Sequence, residues 1–104
     1  MIDNTEAAEA AHNALSETDQ EYGRLQGYVA MAPHYAKIIK AKHLLKAQGT
    51  VAEKESVAYS SVEYIEYMDK LNEAVVEFNV LDAKRASWNR EVDIWRTLSA
   101  NQRR

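Results

Sequence analysis

Five cations crowd one short stretch of the chain, Lys37, Lys40, Lys42, His43 and Lys46, and no acid occurs anywhere between residues 22 and 50. On a helix, at about 100° per residue, Lys37 and Lys40 share one face while Lys42 and Lys46 share another. Positive charge then surrounds much of the girth and offers a track for phosphate. Tyr28 and Tyr35 lie one to three turns upstream. Aromatic rings beside ammonium groups suit single-stranded nucleic acid, whose bases stack while its phosphates follow the cations. The same tyrosines also fit a core stripe, and the same lysines also fit a face paired with acids. Arg90, Arg96, Arg103 and Arg104 make a second, weaker basic patch.

Other chemistries find less material. Glu9 and His12 form a Glu-x-x-His unit, but a di-iron site needs two such units and two further carboxylates, and neither His34 nor His43 has a Glu three residues before it. With 0 Cys there is no thiol nucleophile and no thiolate metal site. No phosphate-cradling glycine loop, Gly-x-Ser-x-Gly or His-Glu-x-x-His is present. Gly23 and Gly27 form a Gly-x-x-x-Gly whose charged flanks favour a close helix contact or a joint over a membrane dimer. The expectation is a protein without catalytic residues, metal or cofactor.

Composition narrows the fold. Only 3 Gly and 1 Pro serve 104 residues, too few for the turns of a sandwich or barrel, so an all-α chain is expected. No apolar run reaches the roughly 20 residues of a membrane span or matches a signal peptide, which places the expected location in the cytoplasm, without membrane contact. The net charge of −3 conceals four blocks. Residues 1–21 carry six acids and no Lys or Arg, and residues 22–50 carry five such cations and no acid. Residues 51–84 set eight acids against three lysines, and residues 85–104 set five arginines against two acids. Antiparallel helices would lay opposite blocks against each other.

Residues 1–17 read as an acidic, Ala-rich leader, helical or mobile, with Asp3 placed to cap and Glu6 three residues later. Thr18-Asp19-Gln20-Glu21 is a capping box, so a fresh helix is expected over about 18–47, opening a single helical domain over 18–104. Its apolar stripe is Tyr28, Met31, Tyr35, Ile38 and Leu45, and Pro33 should bend or break it near residues 29–33. Gly49 stops it, and Thr50-Val51-Ala52-Glu53 opens a short helix over 51–59. The last helix, 61–100, carries the strongest pattern: Tyr64, Tyr67, Leu71, Ala74, Phe78, Leu81, Arg85, Trp88, Val92 and Trp95 alternate steps of 3 and 4. That is a coiled-coil seam with Arg85 as its one polar member.

The expected architecture is therefore a long helical hairpin with a short connecting helix, coiled-coil-like and oligomeric. A seam near 60 Å long outruns a partner of about 45 Å, leaving Trp88 and Trp95 to face the leader or nothing. A second copy covering Phe78, Leu81, Arg85, Trp88, Val92 and Trp95 is the expected solution, with Arg85 selecting register through an acid on another helix.

Three stretches carry a likeness: 46–55 (KAQGTVAEKE), 58–64 (AYSSVEY) and 91–104 (EVDIWRTLSANQRR). Over roughly residues 20–104 the chain resembles small helical proteins of tailed-phage recombination and replication modules, similar in layout to UvsY-type recombination mediators. The resemblance implies a homo-oligomer in the host cytoplasm that binds single-stranded DNA and helps load a recombinase in place of single-strand-binding protein. The main alternative is a non-enzymatic interaction factor lacking DNA affinity, such as a virion-assembly protein or an inhibitor of a host system whose acidic leader mimics phosphate.

Overall fold

A computed structural model describes residues 4–102; Asp3, Arg103 and Arg104, named above for their charge, lie outside them. Three helices succeed one another, α1 (Asn4–Lys46), α2 (Val51–Tyr59) and α3 (Val62–Gln102), with no strand among the described residues. The all-α class and the short connecting helix are as expected.

The start of α1 differs from expectation. From Asn4 the leader is helical and continuous with the rest of α1, so no helix begins at Thr18. Thr18 Oγ1 instead donates back to the Ala14 carbonyl at 2.7 Å, a bond that satisfies a hydroxyl inside a helix rather than capping one. High alanine content lowers the cost of continuing the helix through this point. The helix also runs on through Pro33 without the expected break. Gly49 then reverses the chain at φ 113°, a conformation that favours glycine. Directly after it, Thr50 Oγ1 accepts from Glu53 N–H at 3.2 Å while Glu53 Oε2 accepts from Thr50 N–H, the complete capping box that fixes the first turn of α2.

The chain forms two compact units, and each draws on both long helices. The first comprises the residues up to Arg24 with those from Phe78 onward. Its two helical segments run antiparallel, because Thr5 meets Trp95, Asp19 meets Arg85 and Tyr22 meets Phe78. Ala8 and Ala11 are its buried residues, and Tyr22 stacks on Phe78 with ring centroids 5.2 Å apart. The second unit, Leu25–Glu77, folds α1, α2 and the start of α3 around buried Leu25, Ala32 and Ala58. Here the Tyr67 ring sits 6.2 Å from Tyr28 and 6.4 Å from Tyr35, and its hydroxyl donates to the Ala32 carbonyl at 3.5 Å.

All ten seam positions of α3 are partly buried, as the heptad requires. The α1 stripe is corrected. Met31, Tyr35, Ile38 and Leu45 are exposed, Leu45 to 88%, while the covered face carries Leu25, Ala32, Ala36, Ile39 and His43. Bulk and smallness alternate across the helix pair: alanines on α1 let it approach the aromatic side chains of α3 closely, which is how layers interdigitate at close-packed density.

Trp95 does not lack cover within its own chain. The first turns of α1 supply it, and the indole Nε1 donates to Thr5 Oγ1 at 3.3 Å. Phe78 and Arg85 likewise pack on α1 of the same chain.

Candidate nucleic-acid interface

Lys37, Lys40, Lys42, His43 and Lys46 all fall in the second unit, but they divide into three groups. Lys40 donates to the Tyr59 hydroxyl at 2.7 Å and lies 4.6 Å from that ring's centroid. This hydrogen bond, more than any nearby charge, holds the Lys40 ammonium above its ordinary proton affinity. Lys42 and His43 converge on a single acid. Lys42 Nζ lies 3.0 Å from Glu63 Oε1 and 3.2 Å from Oε2, and His43 Nε2 lies 3.2 Å from Oε2. The Lys42 hydrogen bonds, with His43 adding to them, hold the Glu63 carboxyl below its ordinary value of 4.5. Lys37 and Lys46 have no hydrogen bond or ion pair among the described residues. Being nine residues apart, they emerge on opposite sides of α1.

Tyr35, 48% exposed, shares one outward face of α1 with Ile38, Lys42, Leu45 and Lys46, all lying within about 100° of arc. The face thus combines an aromatic ring, aliphatic side chains and two ammonium groups. No acid lies on this part of the helix, because none occurs between residues 22 and 50. Tyr28 is partly covered and belongs to the tyrosine cluster around Tyr67. Burial in that cluster, with Tyr28 and Tyr35 beside it, raises the Tyr67 hydroxyl above its ordinary proton affinity.

Opposite charge blocks do meet within each unit. In the second, Glu63 of the acidic 51–84 block joins the basic 22–50 block. In the first, Arg85 answers the acidic 1–21 block: Nη1 donates to the Leu15 carbonyl at 2.9 Å and to Thr18 Oγ1 at 2.8 Å, and Nη2 donates to Asp19 at 2.6 Å. The guanidinium also lies 4.6 Å from the Tyr22 ring centroid, and the Tyr22 hydroxyl donates to Asp82 at 2.7 Å. That bond to Asp82 is the main reason the Tyr22 phenol is raised above its ordinary value. The acid that Arg85 meets thus belongs to its own chain, and Asp82 is occupied with Tyr22.

Neither Glu63 nor Tyr59 carries a local motif that marks it as a partner of the cations. The signal exists in the sequence only at the coarse level of an acidic block facing a basic one.

The expected interface residues Leu81, Trp88 and Val92 are partly covered within the chain like the rest of the seam. Trp95, Val92, His12 and Glu9 line an open groove of about 500 Å³ over Ala8. Among the described residues no group of three or more His, Asp or Glu side chains could hold a metal ion. None of the described helices is long and apolar enough to cross a membrane. Comparison with protein-family models, with curated proteins and with solved structures returned no match to this chain.

Proposed function

We propose that this chain is a non-enzymatic, homo-oligomeric accessory protein that binds single-stranded DNA through the outer face of α1 in the Leu25–Glu77 unit. The observation that carries the reading is the outward face of α1, where Tyr35, Ile38 and Leu45 stand beside Lys46, which has no acid partner, and Lys42, whose one acid is Glu63 of α3. Bases can stack on the ring and spread over the aliphatic side chains while phosphates reach the ammonium groups. No set of side chains there is arranged to read base edges, so binding is indifferent to sequence. Self-association is supported by the same unit's exposed Val62, Ile65, Met68 and Val76 on α3, a density of large apolar side chains that a solitary small domain rarely leaves in water. An oligomer would repeat the cationic face and raise affinity by multivalency. With the resemblance to tailed-phage recombination mediators, this leads to a factor in the host cytoplasm that helps load a recombinase where single-strand-binding protein would otherwise sit.

A second reading, an interaction factor without DNA affinity, is favoured by the engagement of Lys42 and His43 with Glu63. Fluorescence anisotropy with a labelled oligothymidine separates the two. The first reading expects binding at about 50 mM salt that weakens steeply as salt rises. A flat trace from a fully helical protein supports the second.

A further inference from the structure

We propose that Lys42 and His43 form a phosphate-binding fork that Glu63 occupies in the free protein, so that a single strand gains these two groups only by displacing the chain's own carboxylate. The inference rests on the nucleic-acid reading above and deepens it. Both oxygens of Glu63 are engaged, Oε1 and Oε2 with Lys42 and Oε2 with His43. Two adjacent nitrogen groups converging on two oxygens of one anion would meet the two non-bridging oxygens of a phosphodiester in the same way.

The geometry lets the contact exchange. Glu63 stands in the first turn of α3, whereas the fork stands on α1, so parting them requires only side-chain rotation. The Lys42 and Glu63 side chains are 52% and 43% exposed, and exposed ion pairs are weak enough for a polymeric anion to replace. Lys46, one turn beyond Lys42 on the same face, has no acid of its own and offers a first foothold for the strand. The lowered proton affinity of Glu63 is the same attraction viewed from the carboxylate.

Anisotropy titrations of the full chain with labelled oligothymidine test this, comparing wild type, Glu63→Gln, Lys42→Gln and the double variant. Removing the resident anion should tighten binding about two- to fivefold, the range covered by an exposed pair. Lys42→Gln in the Glu63→Gln background should abolish that gain. Glu63→Asp, which keeps the charge in the first turn but falls short of the fork, should recover part of the gain and controls for any effect on the helix start. Equal helix content by circular dichroism accompanies each comparison. Wild type binding as tightly as Glu63→Gln would overturn the fork while leaving the nucleic-acid reading standing; no binding by either protein would overturn both.

Discussion

Arg85 of α3 meets Asp19 of α1 at 2.6 Å, with the guanidinium side chain only 16% exposed. Its other nitrogen spans a backbone carbonyl and a hydroxyl within the preceding turn, so the fork engages three successive acceptors along α1. Such a contact is made at one antiparallel register and lost at any other, which makes Arg85 a register pin within the chain. Arg85→Ala should destabilise the protein by about 2 kcal/mol in urea unfolding, since hydrogen bonds to charged groups contribute about 1.5–3 kcal/mol. Arg85→Lys should recover only part of this, because a single ammonium cannot reproduce the planar fork. Unchanged midpoints in both variants would show that the cluster is ornamental.

The α3 seam is legible in the sequence because its side chains are bulky and its steps unbroken from Tyr64 to Trp95. The inward face of α1 is not, because its key members, Ala8, Ala11 and Ala32, are small and give little hydrophobic signal, while the larger Met31, Ile38 and Leu45 face water. Periodicity locates bulk; it does not say whether bulk or its absence faces the partner. Thr18 misleads for a related reason, since a capping-box pattern and a hydroxyl bonded back to the preceding turn read alike in sequence. Among the site residues, the cations of α1 stand out as a run, but their division into paired and unpaired groups depends on Tyr59 and Glu63, which come close only when the chain turns back through α2.

Acid should weaken the second unit through Glu63. Its folded-state proton affinity lies below the ordinary value of 4.5, so its contribution is fully present above that pH and is lost as pH falls through the lowered folded value. Carbon-detected nuclear magnetic resonance of the Glu63 carboxyl should show a midpoint below 4.5. Lys42→Gln should move it upward, and a midpoint indifferent to that change would contradict the pairing.

The leader is structural in the first unit. Trp95→Ala should cost about 2 kcal/mol, less than a fully buried indole because the ring is only partly covered. Deleting residues 1–12 removes Thr5 and Ala8 from beside it and should red-shift the tryptophan emission as the indole meets water. Emission unchanged after the deletion would mean that the ring is covered by something other than α1.

Self-association through the exposed apolar residues of the second unit predicts a mass above 11.8 kDa by light scattering at micromolar concentration. Ile65→Glu with Val76→Glu, both at exposed positions, should return the protein to monomer while preserving helix content. A wild-type monomer at that concentration would remove the oligomeric part of the proposal.

The outward face of α1 is tested most directly by the salt dependence of oligothymidine binding in wild type, Lys46→Gln and Tyr35→Ala. The slope of log affinity against log salt should flatten by about 0.7 per protomer contacting the strand when Lys46 is lost. Tyr35→Ala should leave the slope unchanged and weaken binding by about 1–3 kcal/mol per stacked base. Absence of binding at about 50 mM salt, or identical affinities and slopes in all three proteins, would contradict a DNA-binding role for this face.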